Sequence, residues 1–165
     1  RLGALVASGS LADRLTDAKL LSDMFTSPVT QTIACGLLQQ SQHVQTVERN
    51  RSILGRRLET LCDELSRQVP DVFFTRPSGG LNVWITLPEG MTDRQFFDRC
   101  IEERVLVVPG HVFFHDVQET RHIRLSFAGT SEDMIRIGVE RMARAFHALA
   151  ARPSRSVTRS DLPVV

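Results

Sequence analysis

Two stretches of strict alternation constrain the fold of this chain more than any other feature. From Leu81 to Leu87, the side chains of Leu81, Val83, Ile85 and Leu87 share one face and Asn82, Trp84 and Thr86 the other. From His122 to Phe127, Ile123, Leu125 and Phe127 share one face and His122, Arg124 and Ser126 the other. Period two marks a strand buried on one side only, so each apolar face needs a covering layer. Neighbouring segments supply it. Thr92 and Gln95 have capping-box spacing ahead of Phe96, Phe97, Cys100 and Ile101. A helix from about Ser131 to Leu149 carries Ile135, Val139, Met142, Phe146 and Leu149 along one stripe. Val72 to Thr75 and Val105 to Val108 predict two more short strands, the second stopped by Pro109-Gly110. A small sheet covered on one face by helices, an α+β layer, follows.

Upstream, the period is helical. Ser10, with Asp13 three residues on, opens a helix through Leu11, Leu15, Ala18 and Leu21. Ser27-Pro28 opens a second through Ile33, Leu37 and Leu38, fading near Ser41. From His43 to about Gln68, Ile53, Leu54, Leu58, Leu61, Cys62 and Leu65 recur at three-and-four spacing. Arg1 to Ala7 reads as a strand. A lone strand cannot satisfy its backbone groups, so part of its sheet is expected to be missing from this sequence, which begins at Arg1 and reads as a fragment.

Composition removes several functions. The 165 residues suffice for one domain with a core. A net charge of +1 argues against nucleic acid being contacted by this segment. No apolar run reaches the roughly 18 residues of a spanning helix, so no membrane partner is expected, and it is the cysteine pattern that points to a cytoplasmic protein. Cys35, Cys62 and Cys100 lack CxxC spacing and lie in apolar helical stripes, so they read as reduced core thiols. His111 and His115 sit four apart in a β-rich stretch with no third ligand nearby and read as ordinary histidines, leaving no metal site. Arg124 stands apart. A long cation in mid-strand must find water or an anion, and spacing alone weighs a surface ion pair and a functional grip about equally.

The run RPSGGLNVWITLPEG (Arg76 to Gly90), a helix, RVLVVPGHVFF (Arg104 to Phe114), HIRLSFAG (His122 to Gly129) and a closing amphipathic helix come in a fixed order. Together they resemble the C-terminal part of the fold-type I pyridoxal-phosphate aminotransferases. Nearest are the 2-aminoadipate aminotransferase type enzymes and the aminotransferase-like domains of MocR/GntR regulators. The resemblance covers roughly Arg1 to Leu149. It implies an α/β PLP-dependent transferase fold, here its C-terminal fragment, with an α+β small domain built on an antiparallel-rich sheet. Residues 1–42 would then be the remnant of the large cofactor-binding domain, 43–68 an interdomain helix, 69–150 the small domain and 151–165 a disordered tail.

The same resemblance implies transfer of an amino group between an α-amino acid and a 2-oxo acid in a homodimer, with pyridoxal 5'-phosphate as cofactor. The alternative is an effector-sensing domain of a regulator whose N-terminal winged helix binds DNA; a third is a degenerate domain kept for dimerisation. Arg124 stands where the family's arginine grips the substrate α-carboxylate, a task suited to a planar fork. Arg1-Leu2-Gly3 resembles the end of a GLRLG-like turn, which makes Arg1 the ligand of the cofactor phosphate. One departure matters. The family's Schiff-base lysine precedes that turn, whereas the only lysine here, Lys19, follows it on a helix. Lys19 reads as a solvated bystander, no catalytic residue is assigned, and this chain alone is expected not to transaminate.

Overall fold

A computed structural model describes residues 2–116 and 118–151. They fall into two compact units, Arg1–Asn50 and Arg51–Val165. Arg1 and the segment 152–165 lie outside the described residues.

In the first unit, helix α1 spans Ser10–Asp23, α2 spans Pro28–Leu38, and α3, Ser41–Gln68, begins. The strand expected at the start is not formed: residues 2–7 carry no strand. A strand exists only through its partner, and no other extended segment of this unit pairs with it. Ser10 is not a cap either. It is the first residue of α1, and Gly9 precedes it at φ 64, a left-handed value that glycine adopts without strain. Pro28 opens α2 as its spacing predicts, but Ser27 makes no side-chain capping bond. Neither helix buries a residue, and Leu21, Val29, Ile33 and Leu38 stay exposed. Cys35 is exposed with them, contrary to the core-thiol expectation, because neither α1 nor the rest of the first unit covers the stripe it belongs to.

The second unit holds the sheet. Strands β1 (Phe73–Phe74), β2 (Asn82–Thr86), β3 (Val108–Pro109) and β4 (His122–Ser126) pair antiparallel in the order β1-β2-β4-β3. Val83 lies opposite Leu125 and Ile85 opposite Ile123, which puts all four on one face. That face packs on α4 (Asp93–Glu102), α5 (Glu132–Ala150) and the C-terminal part of α3 through Phe96, Cys100, Ile135, Val139, Phe146, Leu61 and Leu65. Phe96 and Phe146 meet edge to face at 6.4 Å. Each such side chain contributes about 1.5–3 kcal/mol on burial, so this layer is the dominant stabilising element of the unit.

Helix starts follow the sequence closely. Thr92 and Gln95 form the full capping box of α4, and Ser131 accepts from the Met134 amide at the start of α5. Three apolar positions depart from expectation. Leu81 is half exposed because it lies just before the paired residues of β2, and Ile101 is half exposed on the outer side of α4. The strand expected at Val105 to Val108 shrinks to β3. Arg104 takes φ 58 as the chain leaves α4, and the amides of Arg104 and Val105 donate back to Ile101 and Cys100. That helix-ending turn uses the backbone a strand would need and leaves Leu106 exposed.

Candidate functional site

The face of the sheet away from the core carries the chemistry. Register places Trp84 directly opposite Arg124 and Thr86 opposite His122, while Val108 flanks Arg124 on the other side. Residues opposed in this way have Cβ atoms close enough for their side chains to meet. Trp84 stacks on His122 at 5.5 Å, and the Thr86 hydroxyl lies 3.1 Å from His122 Nδ1. Two more rings arrive from the single-turn 3-10 helix Gly110–Phe113 and its exit: Phe113 meets Trp84 edge-on at 5.5 Å, and Phe114 lies 5.9 Å from His122.

Arg124 sits inside this aromatic surround. Its guanidinium carbon is 4.7 Å from the centroid of the Phe113 ring, a cation–π contact of about 0.5–2 kcal/mol depending on desolvation. Its Nε is buried without a hydrogen-bond partner. No carboxylate pairs with it among the described residues, so the surface ion pair that spacing allowed is not what the side chain makes. A buried donor left unpaired costs about 1–3 kcal/mol. A fork-shaped cation with an unmet donor and a ring against one face is suited to a planar anion.

Asp93, which no local pattern distinguishes, is the second centre. It is 0% exposed, the one charged residue buried among those described. Oδ1 accepts from the amides of Arg94 and Thr120, both at 3.0 Å. Oδ2 accepts from the His111 amide at 2.7 Å and the Thr120 hydroxyl at 3.1 Å, and lies 2.8 Å from His111 Nδ1. Burial by itself pushes this carboxyl up; the bonds from Thr120 and His111 outweigh it and hold the group down at about 2. An aspartate in the first turn reads from sequence as a helix-dipole residue. Its partners are 18 and 27 residues away, beyond any spacing rule. Beside it, a Cβ on Gly110 would lie 2.5 Å from the His122 carbonyl and 2.7 Å from the Thr120 hydroxyl, so only glycine fits there.

The other candidates lie apart from Arg124 or make local contacts. His111 is thus a mostly buried partner of Asp93, and His115 is exposed beside Asp116. Burial pushes the Cys100 thiol up to about 12, reinforced by Glu103, and burial likewise raises Cys62 against the pull of Arg76. Neither is an activated nucleophile. In the first unit, Lys19 Nζ is exposed and bonded to Asp23 at 2.8 Å and to the Thr26 hydroxyl at 3.0 Å, the solvated helix residue its position suggested. A cleft of about 300 Å³ is lined by α5, Val105–Val107 and the end of β4 at Leu125 and Ser126. Its Arg141 donates to the Arg104 carbonyl.

The model of the family described as aminotransferase class I and II matches residues 1–142. The chain is 34% identical over 152 residues to the 2-aminoadipate transaminase of Thermus thermophilus, covering 92% of this chain and 38% of that protein. It is 28% identical over 144 residues to the HTH-type transcriptional regulator YisV of Bacillus subtilis, covering 87% of this chain and 29% of the regulator. Among solved structures, LysN, an alpha-aminoadipate aminotransferase of Thermus thermophilus complexed with N-(5'-phosphopyridoxyl)-L-leucine, superposes with a TM-score of 0.77 at 33% identity. That match covers 88% of this chain and 38% of LysN. The chain therefore spans between 29% and 38% of the length of these relatives.

Proposed function

The chain belongs to the aminotransferase class I and II family, and from that premise we propose that it is the carboxylate-gripping C-terminal part of a protein that moves an amino group between an α-amino acid and a 2-oxo acid. The observation that carries this reading is Arg124: a guanidinium on the outer sheet face, with its Nε buried and unpartnered, set against the Phe113 ring and opposite Trp84 in the register. A bidentate contact to an α-carboxylate supplies the acceptors that the buried nitrogen lacks and fixes the orientation of the amino acid.

The cofactor of such a protein is pyridoxal 5'-phosphate, an electron sink for amino-group chemistry when bound. The described residues of this chain do not fit its covalent attachment. The single lysine is held by Asp23 and Thr26 on an exposed helix, and Arg1, assigned to the cofactor phosphate, lies outside the described residues. On this reading the amine is supplied from outside these 165 residues, and the contribution of this chain is to bind and orient substrate. On the same reading, residues 1–42 belong to a large domain, 43–68 connect, and 69–150 form the small domain. The exposed faces of α1 and α2 suit cover by the remaining protein or by a second copy in a homodimer. No helix among the described residues is long and apolar enough to cross a membrane, and a cytoplasmic location fits the free thiols.

The similarity to YisV supports a second reading, in which the same arginine holds an amino-acid effector while another domain binds DNA. Both need Arg124; only the first needs turnover. Measuring amino-acid binding and product formation by the full-length protein and its Arg124→Ala variant tests the two together. Binding lost in the variant favours the enzyme if the unaltered protein turns over and the regulator if it does not, and binding unchanged in the variant removes both.

A further inference from the structure

Asp93 makes more bonds than its place at a helix start requires. The cap of α4 is already complete through Thr92 and Gln95. The Asp93 carboxylate instead reaches across to two other segments, taking the amide and ring nitrogen of His111 and the amide and hydroxyl of Thr120. His111 belongs to the single-turn 3-10 helix that ends at Phe113. On its other side that turn is seated against β4, because Gly110 lies so close to His122 that a Cβ would meet the His122 carbonyl at 2.5 Å. Phe113 itself is half exposed, so core packing does not hold it; the turn does. Its ring is the partner of the Arg124 guanidinium, whose Nε has no hydrogen bond to anchor it.

We infer that Asp93 is a positioning residue for Arg124: by clamping His111 it fixes the turn that holds Phe113 against the guanidinium. The path runs from a buried carboxylate through one turn of backbone to an aromatic ring and a cation. It rests on the carboxylate-grip reading only for its functional consequence, since the position of the guanidinium is measurable without substrate. A loosened turn lets the ring leave, and the guanidinium then loses the face that orders it.

Two readouts on the full-length protein test this. The first is the rate at which phenylglyoxal modifies Arg124, followed by peptide mass. Asp93→Asn and Phe113→Leu should each raise that rate by between about twofold and thirtyfold, the range a cation–π contact spans. The double variant should go no further than the faster single, because both changes break one path. Should Asp93→Asn fail to fold, His111→Ala removes the ring contact alone and must move the rate the same way. An unchanged rate in the foldable Asp93 or His111 variant overturns the inference, as does a multiplicative double variant. The second readout is the KM of the amino-acid substrate, which should rise in Asp93→Asn with kcat within about twofold. Amino-acid affinity unchanged in Arg124→Ala would sink the carboxylate grip alone, and the modification rates would still decide the positioning.

Discussion

Trp84 and Arg124 are direct cross-strand partners on the face of the sheet that does not pack on the helices. Phe113 closes on both, 5.5 Å from the indole and 4.7 Å from the guanidinium carbon. An arginine held by a ring rather than by a carboxylate keeps its hydrogen-bonding fork available, which separates a binding cation from a stabilising one. Surface ion pairs elsewhere in the chain, such as Arg144 with Glu103 at 2.8 Å, are exposed and contribute little.

Replacing Arg124 by alanine in the full-length protein should leave folding intact, because no core side chain is touched. Loss of a bidentate, charge-assisted contact should weaken productive amino-acid binding by roughly 2–4 kcal/mol, about thirtyfold to a thousandfold in kcat/KM. Arg124→Lys should recover part of that loss, since a point charge keeps attraction without the fork. Steady-state kinetics and circular dichroism on the same samples check both halves; an unchanged kcat/KM in the alanine variant removes the assignment.

Asp93 gives the second unit an acid-sensitive contribution whose sign is fixed. The folded carboxyl titrates at about 2 against an ordinary 3.8, so its stabilisation is fully present above pH 4 and is lost as pH falls toward 2. The shift corresponds to about 2 kcal/mol. Asp93→Asn should lower stability by about 1–3 kcal/mol at pH 7, and the gap from wild type should narrow as pH falls below 4. Urea unfolding at pH 7 and pH 3 measures it, and a gap that widens toward acid would contradict the assignment.

Glycine substitutions separate a close approach from an open turn. Gly110→Ala drives a methyl into the His122 backbone and the Thr120 hydroxyl and should cost more than about 2 kcal/mol. Gly79→Ala, with no heavy atom within 4 Å of the added carbon, should stay within about 0.5 kcal/mol. Thermal unfolding of the two variants side by side decides this, and equal midpoints would show that the turn at Gly110 yields.

What the sequence reveals is what local periodicity encodes. The alternation of Ile123, Leu125 and Phe127 placed Arg124 on the outer face, and the Thr92 to Gln95 spacing located the start of α4. Asp93 escaped because its meaning comes from partners brought together by the chain's return through Gly110 and Thr120. The strand at residues 2–7 failed for the opposite reason: apolar pattern is local, but a strand needs a partner, and none is paired with it here. Val105 to Val107 was lost to strand because the positive φ at Arg104 diverts its backbone into a helix-ending turn. Propensity sets the candidates, and pairing selects among them.

The three thiols provide the last test, and it bears on what covers the first unit. Cys35 is exposed on α2, whereas Cys62 and Cys100 are buried in the core of the second unit. Thiolate is the reactive form, so Cys100, pushed up to about 12 by burial, should resist a disulfide reagent at pH 8 until the unit unfolds. In the 165-residue chain, Cys35 should therefore react at least about a hundredfold faster than either core thiol, since it is exposed and burial keeps the other two covered and protonated. In the full-length protein, the face of α2 bearing Ile33 and Leu37 should be covered, and the same Cys35 should become slow. Peptide-level labelling of the two forms reads this directly. Equal, fast labelling of Cys35 in both would mean that the apolar face of α2 is left bare in the complete protein and that residues 1–42 do not pack into a larger domain.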